Sequence, residues 1–165
     1  MNKILLVVAF LAFGLSVIAQ ENLPELNLKT VDGEKIKLQD YATNGKNTVF
    51  AFWATWCAPC KKELNNIAEI YEDWKTDYNT EVVAVSVDNQ RSVAKVKTYI
   101  DGQAWDYDVL LDTNQELMRA LSIQNVPYTV VVDASGKITY THSGYADGDE
   151  FDLESHLESL SISKE

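Results

Sequence analysis

The only two cysteines of this 165-residue chain, Cys57 and Cys60, are separated by two residues in the segment Trp56-Cys57-Ala58-Pro59-Cys60. An aromatic and β-branched run precedes them and an amphipathic helical pattern follows, so the pair lies where a strand passes into a helix. The free backbone N–H groups and the dipole of a helix that begins near Cys57 favour a thiolate on this residue. Because the thiolate is the species that attacks disulfides, we expect Cys57 to be a redox nucleophile.

Cys60 lies one helical turn further on, and we expect it to point back under Cys57 and to close a disulfide with it. Pro59 fits between them because the first turn of a helix can spare a backbone N–H and proline presets the helical φ. A purely structural disulfide is one alternative, but so short a loop would stabilise the fold by only about 2 kcal/mol. A zinc site is another alternative, but it would need a second CxxC or a closely spaced His pair.

The N-terminal residues predict export. Met1-Asn2-Lys3 is a short positive start, residues 4–18 form a largely apolar stretch, and Ala19 follows as a small residue suited to cleavage. We therefore expect a signal peptide over residues 1–19 and a protein that is periplasmic or otherwise exported. The alternative is an uncleaved N-terminal membrane anchor, although the apolar run is shorter than the ~20 residues of a spanning helix. Outside the reducing cytosol a disulfide can persist.

Charge and length narrow the classes of function. The chain has 25 acidic and 14 basic residues and a net charge of −11 at pH 7, so we expect no nucleic-acid partner. Residues 20–165 have the length and apolar content of one domain. No heptad pattern indicates a tight oligomer, and we expect a monomer with no cofactor and no bound metal.

Hydrophobic periodicity predicts strands and helices that alternate around the cysteine segment. Strands are predicted at residues 26–30, 35–38, 47–53, 82–87, 109–111, 128–133 and 137–142. Helices are predicted over residues 58–78, 93–100, 115–121 and 153–160. The first two strands flank Asp32-Gly33, which is a hairpin signal. This alternation indicates an α/β fold in which helices cover a mixed sheet.

With these elements in place, the sequence resembles the thioredoxin superfamily over residues 20–165. The resemblance rests on two segments, Phe52-Trp53-Ala54-Thr55-Trp56-Cys57-Ala58-Pro59-Cys60-Lys61 and Val126-Pro127-Tyr128-Thr129. The N-terminal hairpin and an inserted helix-strand unit around residues 91–111 are similar to the exported TlpA/ResA-like branch. That branch contains membrane-tethered or periplasmic thiol-disulfide oxidoreductases, several of which work in cytochrome c maturation. The resemblance implies a thioredoxin-like three-layer sandwich.

The resemblance also implies roles for individual residues. Cys57 matches the attacking cysteine and Cys60 the resolving cysteine. Pro127 matches a cis-proline beside the active site, and Val126 before it would offer backbone groups to an extended substrate. An ordinary trans turn proline is the alternative for Pro127. Further substrate contacts are expected from the residues around the sulfurs, namely Trp56, Ala58 and Pro59.

Glu63 is a third candidate for the chemistry because it follows Cys60 by three residues. In the TlpA/ResA-like branch a glutamate at this place influences the thiol pKa values and is a candidate proton carrier for the buried sulfur. Ala51 stands where thioredoxin itself has a buried aspartate, so a relay through that position is absent here. The alternative is a solvated glutamate in the first helical turn, where the helix dipole favours it.

The predicted reaction is thiol-disulfide exchange with exported proteins that carry disulfides or CxxC pairs. We expect a reductant, supplied by a transmembrane thiol electron donor, with cytochrome c maturation as one setting that the resemblance offers. A peroxidase of the peroxiredoxin type is one alternative, but its PxxxTxxC pattern is missing around Cys57. A copper-binding chaperone that uses the thiolates and His142 is another, although related copper proteins space their cysteines CxxxC.

Overall fold

The computed structural model describes residues 22–162. Its strands are β1 Asn27–Thr30, β2 Lys35–Lys37, β3 Asn47–Trp53, β4 Thr80–Ser86, β5 Asp108–Leu111, β6 Tyr128–Val132 and β7 Ile138–Ser143. Its helices are α1 Leu38–Thr43, α2 Ala58–Asp77, α3 Ala94–Ile100, α4 Glu116–Ala120 and α5 Asp149–Ile162. The described strands form one sheet in the order β2-β1-β5-β4-β3-β6-β7.

The centre of the sheet is parallel and its two sides are antiparallel. Strand β4 pairs in parallel with β3 and with β5, whereas β6 pairs antiparallel with β3 and β7 pairs antiparallel with β6. Every residue of β3 is buried, as expected for a central strand that is covered on both faces. The predicted mixed sheet is therefore confirmed.

Helices cover both faces of this sheet. On one face, α2 and α5 pack on Val49, Val82 and Val131 through an apolar cluster that includes Ile67, Tyr71, Trp74, Leu153 and Leu157. A second cluster joins α1, α3 and α4 to β3 and β4; it includes Leu38, Val96, Leu117, Phe50 and Val83. The neighbouring β3 residues Val49 and Phe50 belong to different clusters, because successive side chains of a strand point to opposite faces of the sheet. The arrangement is the predicted three-layer α/β sandwich.

Most predicted elements are present with ends shifted by one or two residues. The hairpin of β1 and β2 turns at Gly33, whose φ of +88° suits glycine, and the inserted unit consists of α3 and β5. Helix α1 was not predicted, because it follows β2 without a break and its N-cap residue Lys37 provides no side-chain cap. The predicted signal peptide lies outside the described residues. Within residues 22–162, no helix is both long enough and apolar enough to cross a membrane.

Candidate active site around the Cys57–Cys60 disulfide

The two cysteines form a disulfide at the N-terminus of α2. Cys57 is the N-cap residue, and its Sγ accepts the backbone N–H of Cys60 at 3.4 Å. Cys60 is fully buried, whereas 5% of Cys57 is exposed, so Cys57 is the one that reaches the surface. Free N–H groups at a helix start stabilise a thiolate at the N-cap. The geometry therefore fits attack by Cys57 and resolution by Cys60.

The loop between β3 and α2 is held by Asp88, which follows β4. Its Oδ2 accepts the backbone N–H of Thr55 at 2.8 Å, and its Oδ1 accepts the Thr55 hydroxyl at 2.7 Å. Ser86 donates a third hydrogen bond to Asp88 at 3.0 Å. Asp88 is buried and fixes the chain two residues before Cys57. The sequence analysis missed this residue, because only the pairing of β3 with β4 brings it near Thr55.

The inserted unit supports the same loop with aromatic side chains. Trp53, the last residue of β3, packs against Tyr99 and Trp105 with ring centroids 5.5 and 5.2 Å apart. The Lys61 ammonium lies 5.2 Å from the centre of the Tyr99 ring, within the range of a cation–π contact. The insertion thus buttresses both ends of the CxxC segment.

The residues predicted to contact substrate lie at one end of the sheet. Trp56 is 67% exposed, and Ala58 and Pro59 are also exposed. The Val126–Pro127 peptide bond is cis, as the resemblance implies. Because Tyr128 pairs with Phe52 in the antiparallel register of β6 and β3, Pro127 lies at the end of β3 from which the cysteine loop leaves. Substrate binding by these residues stays a prediction.

Glu63 lies inside the protein, in the second turn of α2. It is 4% exposed, and its Oε1 accepts the hydroxyl of Thr129 at 2.6 Å. The interpretation as a solvated glutamate of the first turn is therefore wrong. The reason is that position 63 falls on the side of α2 that faces β6, whereas exposed neighbours such as Lys62 point to solvent.

Two buried carboxyl groups near α5 have opposite pKa shifts. Burial is the main cause that raises the pKa of Glu63 to about 7; the Thr129 hydrogen bond opposes this rise, and the charges of Asp149 and Glu150 add to it. Burial would also raise the pKa of Glu150, but hydrogen bonds from Tyr145, Gly148 and Asn66 bring it below its usual value. Glu63 can therefore exchange a proton near neutral pH while Glu150 stays ionised.

The structure gives His142 a carboxylate partner. Its Nε2 lies 3.2 Å from Oδ2 of Asp149. Within residues 22–162, no group of three or more His, Cys, Asp or Glu side chains is arranged to hold a metal ion. The described part of the chain therefore contains no ligand set of the kind that the copper-binding hypothesis requires.

Comparison with known proteins identifies similar sequences. The model of the AhpC/TSA family matches residues 19–141. Thiol-disulfide oxidoreductase ResA of Bacillus subtilis is 31% identical over 121 residues, which cover 73% of this chain and 65% of ResA. Sporulation thiol-disulfide oxidoreductase A of the same organism is 29% identical over 117 residues, which cover 71% of this chain and 69% of that protein. The match thus spans about two thirds of these relatives.

Solved structures show the same fold. The solution structure of an uncharacterized thioredoxin-like protein from Porphyromonas gingivalis has a TM-score of 0.77 and 36% identity, and the match covers 87% of this chain and 94% of that one. The crystal structure of StoA from Bacillus subtilis has a TM-score of 0.64 and 26% identity, with 81% and 97% covered. The predicted resemblance to the thioredoxin superfamily and to ResA-like proteins is confirmed.

Proposed function

This chain belongs to the AhpC/TSA family, and on that premise we propose that it is a thiol-disulfide oxidoreductase whose Cys57–Cys60 pair exchanges disulfides with partner proteins. One observation carries the proposal: a cysteine pair at a helix N-terminus, with the buried Cys60 directly behind the N-cap Cys57. The names of the relatives ResA and sporulation thiol-disulfide oxidoreductase A support the same chemistry.

The reaction has two exchange steps. In the reduced protein, the Cys57 thiolate attacks one sulfur of a partner disulfide, and the other partner sulfur leaves as a thiolate. Cys60 then loses its proton, and its thiolate attacks the Cys57 sulfur of the mixed disulfide. The partner leaves with its second thiolate, and the Cys57–Cys60 disulfide remains. Two electrons have passed to the partner.

We propose the reductive direction because of Glu63. Strong oxidants of this chemistry owe their high potential to a stabilised reduced form. The buried carboxyl group of Glu63 lies one turn from Cys60 and disfavours a thiolate on Cys60 in addition to the one on Cys57. It therefore limits the stabilisation of the reduced protein. A reductant that works outside the cytosol needs a source of electrons, for which a transmembrane thiol carrier is the proposed donor.

The proposed setting is the periplasm or another exported location, after cleavage near Ala19. The proposed partners are exported proteins with disulfides or CxxC pairs, including those of cytochrome c maturation. The ResA and sporulation oxidoreductase names of the relatives support a thiol partner of this kind. Exposed Trp56 and the cis Val126–Pro127 segment supply the proposed partner surface, and the protein is proposed to act as a monomer.

The reduction potential is the direct test. The purified protein is equilibrated in dithiothreitol or glutathione buffers, and the redox state is read from fluorescence of Trp53 and Trp56 and confirmed by thiol labelling. A potential near or below about −250 mV is expected for a reductant. A value near about −120 mV would instead make the protein an oxidant, and the absence of a reversible two-electron couple would refute the oxidoreductase proposal.

Trapping of the intermediate tests the roles of the two cysteines. Cys60→Ser is expected to accumulate a mixed disulfide between Cys57 and a CxxC substrate, because the resolving thiol is gone. The matched variant Cys57→Ser is expected to form none. Peroxide consumption in the same preparations separates a peroxidase, which also begins with a thiolate: consumption that depends on Cys57, without disulfide exchange, would favour that function instead.

A further inference from the structure

A small cavity borders Glu63 between α2, β6, β7 and the start of α5. Its volume is about 10 Å³, which is about the space of one water molecule. The side chains with polar groups in its lining are Glu63, Thr129, Tyr140, His142, Asp149 and Glu150. The cavity therefore joins a buried carboxyl group to a histidine near the surface.

The register of the sheet places His142 at this cavity. Ala51 of β3 pairs with Thr129 of β6, and Thr129 pairs with His142 of β7. Directly paired residues project to the same face of a sheet. That face is covered by α2, because the Thr129 hydroxyl donates to Glu63. Because the side chain of Ala51 is only a methyl group, the polar residues of this row are Thr129 and, nearer the edge of the sheet, His142.

His142 links the cavity to solvent at the β7 edge of the sheet. Its side chain is 37% exposed and contacts Asp149, which is 28% exposed. The same Asp149 oxygen accepts the backbone N–H of Ala146 at 2.7 Å, so the carboxylate is held in position beside the imidazole. Imidazole is the side chain best suited to exchange a proton near neutral pH.

We propose that His142 accepts the proton of Cys60 by way of Glu63 and the cavity, and releases it to solvent at the β7 edge. The inference rests on the proposed disulfide exchange. In the mixed disulfide a partner protein covers Trp56 and Cys57, so a buried Cys60 cannot lose its proton through that surface. On the proposed path the proton leaves instead through Glu63 and the β7 edge of the sheet.

The protons and electrons balance along this path. The S–H bond of Cys60 breaks, and its proton passes to the Glu63 carboxylate. The Cys60 thiolate then forms the bond to Cys57 as the partner sulfur leaves with the electron pair of the broken S–S bond. Glu63 passes the proton through one solvent water to the imidazole of His142, which releases it to bulk water. The partner thiolate takes its proton from solvent.

The groups that face Glu63 do not replace it as the proton carrier on this path. They are Thr129 from β6, Tyr140 and His142 from β7, Asp149 and Glu150 from α5, and Tyr107 from the loop before β5. Burial raises the pKa of both tyrosines, which stay protonated at neutral pH. The raised pKa of Glu63, about 7, lets it take up and release a proton under the same conditions.

The test uses His142→Gln, with His156→Gln as the matched control. His156 is the only other histidine; it contacts Thr139 at 3.0 Å and does not line the cavity. Each reduced full-length protein is mixed in single turnover with a peptide that has an internal CxxC disulfide. Quenched thiol labelling then follows formation and resolution of the mixed disulfide between pH 5.5 and 8.5, and the reduction potential of each variant is measured.

We expect His142→Gln to slow resolution about tenfold at pH 7, less than the 10²- to 10⁴-fold typical of a group at the reacting atoms, because it acts through Glu63. Formation of the mixed disulfide and the potential stay unchanged, and added imidazole restores the rate. In the unmodified protein, resolution but not formation shows a solvent deuterium isotope effect above one.

Three results with the variants would overturn the inference. They are a wild-type rate of mixed-disulfide resolution in His142→Gln, no recovery of that rate with added imidazole, or an equal loss of rate in His156→Gln. The absence of an isotope effect on resolution would overturn it without any variant. If the unmodified protein forms no mixed disulfide at all, the proposed exchange fails and this inference fails with it. Failure of the exchange is thereby distinguished from failure of the proton path alone.

Discussion

Glu63→Gln should stabilise the oxidised protein, and the gain should grow as pH rises. In the folded protein the pKa of Glu63 is raised from 4.5 to about 7, chiefly by burial. At 1.36 kcal/mol per pKa unit, the ionised buried carboxylate costs about 3 kcal/mol of folding free energy. Because the folded state holds the proton more tightly than the unfolded state, protonated Glu63 contributes its full stability below the unfolded pKa of about 4.5, and that stability is lost as pH rises through about 7.

Glutamine has the shape of the protonated acid, and its carbonyl oxygen can accept the Thr129 hydroxyl as Glu63 does at 2.6 Å. The two proteins should therefore differ by less than about 1 kcal/mol at pH 5 and by about 3 kcal/mol at pH 8, with the variant the more stable. Urea unfolding of the oxidised proteins at pH 5, 6, 7 and 8 measures the difference.

The matched control is Glu69→Gln, which changes an exposed glutamate of the same helix and should give a small, pH-independent difference. The difference between Glu63→Gln and the unmodified protein isolates the one titration, because other groups with pH-dependent stability are common to both. If the two stability curves run parallel from pH 5 to 8, Glu63 does not take up a proton in this range and the reasoning is refuted.

Three further substitutions test the supports of the site. Asp88→Ala removes both hydrogen bonds to Thr55. We expect the free energy of unfolding in urea to fall by about 2–3 kcal/mol and Cys57 to attack more slowly. An unchanged rate of attack would contradict the role of Asp88 in the active-site loop. Asp112→Ala removes the acceptor of three N–H groups at the start of α4. The free energy of unfolding should fall by about 2 kcal/mol while the reduction potential stays unchanged. A shifted potential would argue against a purely structural role of Asp112. Trp56→Ala should change the free energy of unfolding by less than about 0.5 kcal/mol, since the side chain is 67% exposed. It should slow formation of the mixed disulfide with a CxxC peptide. An unchanged rate would exclude Trp56 from the partner surface.

Elements with a continuous local pattern could be predicted from the sequence. Strand β3 has the predicted bounds, Asn47–Trp53, because an uninterrupted apolar and β-branched run between polar loops leaves little freedom in where the strand ends. Helix α2 begins at Ala58 as predicted, because Cys57 and Pro59 occupy positions that suit a helix start. Local pattern was thus sufficient to place the two cysteines.

Features that depend on neighbours distant in the chain could not be predicted in this way. The contact between Asp88 and Thr55 requires the parallel register of β3 and β4, and the approach of His142 to Glu63 requires the registers of three strands together. Spacing along the chain shows that Glu63 follows Cys60 by one turn. It does not show that β6 covers that side of the helix and buries the carboxyl group.

The opposite behaviour of Glu63 and Glu150 follows from the number of hydrogen-bond donors that each receives. Glu63 has one donor in the described structure, the Thr129 hydroxyl, which does not offset the burial of its charge. Glu150 accepts from Tyr145, Gly148, Asn66 and its own backbone N–H, and these four donors keep its carboxylate ionised. That secured charge in turn raises the pKa of Glu63. The donors around Glu150 in α5 therefore help to set the pH at which Glu63 in α2 titrates.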